Sequence, residues 1–323
     1  MKRIIIELPL VVLFLSYSIF LFLTSINLEF AIIFIATLAL VVVEFAIANF
    51  KLSLGNWVAT ADYSICKVEE VQILAEDGIS LAGSIFKPFR EQEHEFDPLP
   101  VVMIIHGIGS NRKVHPEWVL PLIKRGYAVL TYDLRGHGNS GGKRKDLVQL
   151  VEDIRSVLDF VQNRPDLDID RVALLGHSLG GLIALSQGYN DPRVSCVIGI
   201  AAPHDIKAQG TEKRTFGRKI VHLGLRLLGL RFNLTEEENQ QVSPRFFLRP
   251  DPDNRLRVFL IHARDDFIDY QTQFLANVLT ADLPKSNTLL FQKGGHQLRG
   301  METVVVAQVL LWLEDTLGKP EVG

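Results

Sequence analysis

The residues best suited to chemistry lie in the stretch 171–181, which reads RVALLGHSLGG. Strand-prone apolar residues lead into G-H-S-L-G over 176–180, and helix-favouring residues follow Gly181. Small residues on both sides of Ser178 allow a strand to turn sharply into a helix, which pushes the serine hydroxyl outward. The positive end of that helix lies beneath the hydroxyl. The spacing predicts a nucleophilic Ser178, and the alternative is a Gly-Ser loop without chemistry.

Two strand-like runs downstream of Ser178 end in polar residues that could activate it. The run TLLFQ over 288–292 leads into a glycine loop that carries His296. A histidine there can take the serine proton and return it to a leaving group. A carboxylate must orient the histidine by accepting from its other ring nitrogen. Three follow the run RVFLIHA over 257–263, and spacing leaves the choice open among them: Asp265, Asp266 and Asp269.

Acyl transfer by a serine also needs two converging backbone N–H groups that stabilise a negatively charged oxygen. One is expected from Leu179, directly after the nucleophile. The other is expected from the loop HGIGS over 106–110, where glycines let the backbone approach a substrate. Ile108 is the predicted second donor. These two amides form the predicted oxyanion hole.

The elements that position these residues alternate in type along the chain. An antiparallel hairpin is predicted over 67–74 and 79–88, and the run VVMII over 101–105 is apolar throughout, as in a strand buried on both faces. Strands and helices then alternate to the C-terminus, which indicates a mostly parallel, doubly wound α/β sheet with helices on both faces. Strands are expected at 128–132, 172–175, 194–202, 257–262 and 288–292, and helices at 117–125, 147–161, 271–280 and 304–317.

Five stretches in this order carry a resemblance to a known family. They read HGIGSN (106–111), DLRGHGNSGG (133–142), GHSLGG (176–181), HARDDFID (262–269) and GGHQL (294–298). From about residue 71 to 317 the chain resembles the α/β-hydrolase superfamily, and more closely its monoglyceride-lipase-like and serine-aminopeptidase-like (S33-type) branch. The resemblance implies the α/β-hydrolase fold and an acyl-enzyme mechanism.

The same resemblance implies which acid serves the histidine. In that branch the acid stands three residues after the position of Ala263, which indicates a triad of Ser178, Asp266 and His296. Glycine is usual where this chain has Ala263, so the stretch departs mildly from the pattern and Asp265 stays an alternative. The histidines inside the matching motifs usually shape loops, which is the role expected of His106, His137 and His177.

The segment 203–254 interrupts the alternation and is too long for an ordinary connection, so it is predicted to be an inserted lid. Between 213 and 231 it contains six Lys or Arg residues and no acidic one. Arg218, His222 and Arg226 fall on one helical face and leucines on another. Such a helix suits a surface of anionic lipid, and the alternative is a lid helix with solvated charges.

Two apolar runs, 4–24 and 30–50, are each long enough to cross a bilayer as a helix. Only 25–29 separates them, so they are predicted to form a transmembrane hairpin over 1–50. Lys2, Arg3 and Lys51 flank the hairpin, which places both ends and the catalytic domain in the cytoplasm. A cleaved signal peptide is the alternative for the first run. A linker over 51–66 and a hydrolase domain over 67–319 complete the predicted organisation.

The net charge and the cysteine spacing argue against a nucleic-acid-binding protein and against a cysteine-based metal site. The 323 residues carry a formal charge of −3 and two cysteines, Cys66 and Cys196, without metal-ligand spacing. We expect no cofactor, no metal and no nucleic-acid partner, and the oligomeric state stays open. A metal site of His262, Asp265 and His296 is disfavoured because a triad accounts for these residues. The prediction is a membrane-anchored serine hydrolase of acyl-glycerol or lysolipid-like esters.

Two alternatives to ester hydrolysis remain at this point. An aminopeptidase or amidase would use the same triad and would need an anionic anchor for the substrate's amino group. The run Glu236-Glu237-Glu238 in the lid could supply that anchor. The other alternative is a non-catalytic binding protein that keeps the fold, against which the intact serine, histidine and glycine loops argue.

Overall fold

The computed structural model describes residues 63–89, 97–113, 116–144, 146–211 and 234–320. The hairpin predicted over 1–50 and the basic helix predicted between 213 and 231 lie outside these ranges. Within the described ranges, no helix combines the length and apolar character needed to cross a membrane.

The described strands form one eight-stranded sheet in the order β1-β2-β4-β3-β5-β6-β7-β8. The pairs β1/β2 and β2/β4 are antiparallel, and the remaining neighbours are parallel. The structure confirms the mostly parallel α/β sheet. The strands are β1 (Cys66–Leu74), β2 (Ser80–Pro88), β3 (Leu99–Ile105), β4 (Ala128–Tyr132), β5 (Leu167–His177), β6 (Val194–Ile200), β7 (Val258–Ala263) and β8 (Thr288–Phe291).

Helices connect these strands and cover both faces of the sheet. One face packs against α2 and α3, and the other packs against α1 and α8, so that two apolar layers sandwich the strands. The helices are α1 (Pro116–Lys124), α2 (Leu147–Gln162), α3 (Leu179–Ile183), α4 (Ile206–Thr211), α5 (Glu236–Val242), α6 (Asn254–Arg257), α7 (Leu275–Thr280) and α8 (Glu302–Leu317).

Local sequence explains why the central elements form. All seven residues of β3 are buried, as expected of an apolar run at the centre of a parallel sheet. Helix α2 buries the apolar residues that recur at i, i+3 and i+4 spacing, and its opposite face is exposed to solvent. The helix predicted over 271–280 differs in detail, since a π-helical turn, Tyr270–Phe274, precedes α7. Asp269 begins that turn by accepting from the N–H groups of Gln271 and Thr272.

The described parts of the predicted lid, 203–211 and 234–254, are anchored by one buried carboxylate. Asp205 accepts from the backbone N–H of Lys207 and Ala208 and from the side chain of Asn239. Its other oxygen accepts from Arg245, 2.5 Å away. The Arg245 guanidinium offsets the effect of burial and holds the Asp205 pKa below its usual range. The two ends of the insertion are therefore tied to each other.

A cluster of four charged side chains joins the sheet edge to the start of β5. Lys87 Nζ lies 3.1 Å from Glu69 and 2.8 Å from Asp166, and Arg164 lies 2.6 Å from Glu69 and 2.8 Å from Asp166. Hydrogen bonds from Arg164 hold the pKa of both carboxyls below their ordinary values. The cluster therefore stabilises the fold only while these two groups are ionised.

Acidification is expected to remove this stabilisation. Carboxyls with a depressed pKa in the folded state contribute stability above their unfolded pKa, so the contribution declines as pH falls below about 4.5. Arg164→Gln should lower the free energy of unfolding by about 1 kcal/mol at pH 7, because both carboxylates are more than a third exposed and screened. The difference should shrink progressively between about pH 4.5 and pH 2, as the two carboxyls begin to take up protons. Urea unfolding at a series of pH values measures it, with Arg171→Gln as control.

Candidate active site

The predicted site residues meet at one edge of the sheet because parallel strands end there together. The loop 106–112 follows β3, Ser178 follows β5, Asp266 follows β7 and His296 follows β8. The chain order of serine, acid and histidine is thus converted into proximity, because β3, β5, β7 and β8 all end on the same side of the sheet.

Ser178 occupies a strained turn between β5 and α3. Its φ of 56° and ψ of −113° lie outside the regions that residues other than glycine favour. The turn needs glycine on both sides: a Cβ on Gly176 would lie 2.1 Å from the Gly180 carbonyl oxygen, and one on Gly180 would lie 2.0 Å from that of Ile105. The side chain of Ser178 is 8% exposed. This geometry is the sharp elbow that the sequence predicts.

The loop after β3 lies directly beside the elbow. A Cβ on Gly107 would lie 3.2 Å from Ser178 Cβ, so this backbone approaches the serine as closely as packing permits. Within the described ranges, no hydrogen bond uses the N–H of Ile108 or of Leu179. Two backbone donors are therefore available next to the serine, as an oxyanion hole requires.

Two buried polar side chains fix the loop that carries Ile108. His106 accepts from the Leu134 N–H at 3.0 Å and donates from Nδ1 to the Gly107 carbonyl at 2.7 Å. Asp133, directly after β4, accepts from the Arg112 N–H at 2.7 Å and from its guanidinium. The loop is thereby held at both ends against β4, and His106 has the loop-shaping role expected of it.

His296 lies against one of the three candidate acids. Its Nδ1 is 3.0 Å from both carboxylate oxygens of Asp266, whose side chain is fully buried while that of His296 is 13% exposed. The Ile268 N–H donates to the same carboxylate at 2.9 Å. Phe267 packs on the imidazole with ring centroids 4.3 Å apart. Asp266 therefore holds the ring by the nitrogen that faces away from a nucleophile in a triad.

His262 lies on the other side of Asp266, but its imidazole donates to a backbone carbonyl and not to the carboxylate. Its Nε2 donates to the Ile268 carbonyl at 2.9 Å and lies 3.8 Å from the carboxylate. Burial lowers the pKa of His262, so this imidazole stays neutral near pH 7. The described residues contain no cluster of three or more His, Cys, Asp or Glu that could bind a metal ion.

The other two candidate acids bind backbone amides. Asp265 accepts from the N–H groups of Gly294 and Gly295, at 3.3 and 2.8 Å, in the turn that carries His296. Asp269 accepts from Gln271 and Thr272 at the start of the next helical segment. Of the three acids, Asp266 is the one whose carboxylate contacts the imidazole.

The third contact of a triad is not formed in this structure. Among the described residues, no hydrogen bond joins the Ser178 hydroxyl to the His296 ring. Catalytic hydrogen bonds of unliganded enzymes are often long and shorten when substrate binds. At the carboxyl ends of the parallel strands, the described residues therefore include an oriented histidine, a serine on a sharp turn and two backbone amides without a hydrogen bond.

Two further contributors to this end of the sheet were missed by sequence reasoning, because Asp133 and Arg112 fix the Ile108 loop. Asp265, predicted as an alternative acid, instead fixes the turn of His296. The signal available for Asp133 was its place directly after a predicted strand within DLRGHGNSGG. Arg112 follows its loop motif and offered no such signal.

A mostly parallel eight-stranded sheet with a nucleophile elbow after β5 and a histidine after the last strand defines the α/β-hydrolase fold. The chain therefore has the α/β-hydrolase fold. The sequence profile described as "Serine aminopeptidase, S33" matches residues 97–249. The structure is similar to an esterase of Pyrococcus furiosus, Pf2001, with a TM-score of 0.56, 20% identity and coverage of 80% of this chain and 95% of that one.

Curated relatives match shorter stretches. An uncharacterized 31.7 kDa protein from the traX-finO intergenic region of Escherichia coli is 35% identical over 102 residues, which are 31% of this chain and 36% of that protein. Hydrolase LUC6 of a Fusarium species is 34% identical over 149 residues, 43% of this chain and 34% of that protein. The chain thus spans about a third of the length of these relatives.

Proposed function

We propose that this protein is a serine hydrolase that cleaves carboxylic esters with Ser178, His296 and Asp266. The observation that supports the proposal most strongly is the contact between His296 Nδ1 and the buried Asp266 carboxylate. It lies at the carboxyl ends of the parallel strands, where Ser178 occupies the sharp turn after β5. Hydrolases among the relatives and an esterase among the similar structures support the reaction class.

Acylation follows from this arrangement. His296 Nε2 takes the proton of the Ser178 hydroxyl as the oxygen attacks the ester carbonyl carbon. The carbonyl oxygen becomes negative and accepts from the Ile108 and Leu179 N–H groups. The tetrahedral intermediate then expels the alkoxide, which receives the proton from His296 and leaves as the alcohol. The acyl group stays on Ser178 as an ester.

Deacylation repeats these steps with water. His296 removes a proton from a water molecule, which attacks the acyl carbon, and the second tetrahedral intermediate releases Ser178 with its proton restored. Asp266 keeps the imidazole in the tautomer with hydrogen on Nδ1 and stabilises the imidazolium in each half-reaction. The net change is one ester and one water converted to one acid and one alcohol.

An ester with an acyl chain, such as an acyl-glycerol or lysolipid, is the proposed substrate. The proposal includes a cytoplasmic hydrolase domain held at a membrane by the hairpin predicted over 1–50, which would bring it close to lipid esters. The S33 profile match keeps an aminopeptidase as the second candidate. Against it, two of the three lid glutamates are engaged: Glu236 lies 2.8 Å from Lys207, and Glu238 caps its own helix.

A fluorophosphonate probe and two chromogenic series test the proposal on detergent-solubilised full-length protein. We expect the probe to label wild-type protein and not Ser178→Ala, and p-nitrophenyl esters to turn over faster than aminoacyl anilides. Ser178→Ala should lower kcat by about 10⁶-fold, as loss of a serine nucleophile does elsewhere. Labelling of both proteins alike would contradict the nucleophile, and faster anilide turnover would replace the esterase with an aminopeptidase.

A further inference from the structure

The turn that carries His296 is a single 3₁₀ turn, Gly295–Gln297, whose backbone also binds the side chains of His177 and Asp265. It follows β8, includes Gly294 at φ 139° and Gly295 at φ 60°, and ends at Leu298 with φ 51°. Leu298 adopts the left-handed conformation, which is strained for a residue with a Cβ. A backbone of this kind keeps its shape only where its surroundings determine it.

A cavity of about 50 Å³ adjoins the turn that carries His296. It is lined on the turn's side by Gln297 and Leu298 and on the sheet side by Leu175 and His177. A turn beside unfilled space can shift with little loss of contact. Hydrogen bonds must therefore set where His296 stands.

One of these bonds comes from the residue next to the nucleophile. His177 Nε2 lies 2.7 Å from the His296 carbonyl oxygen, and because a carbonyl only accepts, the imidazole donates. The two imidazole centroids are 4.8 Å apart, and the His177 side chain is 9% exposed. The bond links residues 119 apart in sequence. It connects the backbone of the elbow directly to that of the histidine turn.

The other side of the same imidazole faces the oxyanion loop. A Cβ on Gly107 would lie 3.2 Å from His177 Nδ1, so the ring fills the space between that loop and the histidine turn. A displacement of His177 would therefore shift both the Ile108 amide and His296.

We infer that His177 is a positioning residue that sets the distance between His296 and Ser178 by donating Nε2–H to the His296 carbonyl. The inference rests on the proposed function, because the distance matters for proton transfer from the serine. A shift of about 1 Å at a catalytic group can cost about 100-fold in rate. The Ser178 hydroxyl and the His296 imidazole are not hydrogen-bonded in this structure. They must approach each other for proton transfer, and the bond from His177 sets how closely they do so.

Two amide substitutions separate this role from simple packing. His177→Gln keeps an N–H donor near the place of Nε2, whereas His177→Asn, of similar polarity, offers a donor only near Nδ1. We expect Asn to lower kcat for a p-nitrophenyl ester by about 10- to 100-fold with KM changed less than about threefold, and Gln to stay within about threefold of wild type. Thermal unfolding of both variants shows whether they are equally folded.

A second measurement tests whether the loss of activity in His177→Asn depends on His296. In the His296→Ala background, His177→Asn should cause no further loss in the rate of fluorophosphonate labelling, because the group being positioned is gone. A further tenfold loss there, or equal kcat for the Asn and Gln variants, would overturn the inference.

Hydrogen exchange keeps the inference separate from the proposed function. Amides of 294–301 should exchange faster in His177→Asn than in His177→Gln, whether or not any ester is hydrolysed. Absence of hydrolysis by wild-type protein would refute the esterase while leaving this comparison intact. Equal exchange in the two variants would refute the positioning role, even in an active esterase.

Discussion

Replacing Asp266 with asparagine is expected to lower kcat/KM for ester hydrolysis about 10⁴-fold, with little change in the free energy of unfolding. The loss has that size where an asparagine stabilises the wrong histidine tautomer in a serine–histidine–aspartate triad. An amide at this place presents an N–H₂ or a neutral oxygen to His296 Nδ1, which now lies 3.0 Å from both carboxylate oxygens. The imidazolium formed during attack also loses its counter-charge.

Asp265→Asn is the matched control for that measurement. Asp265 is the adjacent residue and has the same chemistry, but it accepts from the Gly294 and Gly295 amides and does not contact the imidazole. An asparagine oxygen can still accept from those amides, so kcat/KM should fall about tenfold or less. Steady-state kinetics on one ester substrate compare the two variants. A larger loss for Asp265→Asn than for Asp266→Asn would move the acid to the neighbouring position.

The second large effect is expected on stability. Gly180→Ala should cost more than about 4 kcal/mol of folding free energy or prevent folding, a size reached by few single substitutions. The added Cβ would lie 2.0 Å from the carbonyl oxygen of Ile105 and 3.0 Å from that of His106. Both are backbone atoms of a central strand and its exit, so α3 can relieve the overlap only by moving away from the sheet. Urea unfolding of the full-length protein measures this change in folding free energy.

Gly141→Ala provides the comparison. A Cβ there would lie 3.3 Å from one methyl group of Ile79, which has to give by only a few tenths of an ångström. Its expected cost is below about 1 kcal/mol. Similar unfolding midpoints for the two variants would show that β3 and α3 are not as closely packed at the elbow as the structure has them.

The resemblance and the strand patterns anticipated most of the fold. Apolar runs predicted the parallel strands, since a central parallel strand buries both faces and must be apolar throughout, and the turn over 75–78 predicted the antiparallel hairpin of β1 and β2. The buried stripe of α2 follows its 3.6-residue spacing for an equally local reason. The π-helical turn at Tyr270–Phe274 was missed because its hydrogen-bond register has no pattern of side chains that distinguishes it from an α-helix.

The sequence by itself determined the elbow of Ser178, because glycines on both sides of a serine between a strand and a helix act through local sterics. It also placed His296 and a group of three acids after the right strands. Spacing left the choice of acid open and the resemblance favoured Asp266, but only the tertiary structure shows its carboxylate facing the imidazole while Asp265 binds the turn, since these neighbours point in different directions from one loop. The same holds for the bond from His177 to the His296 carbonyl, which joins residues brought together by the order of strands in the sheet.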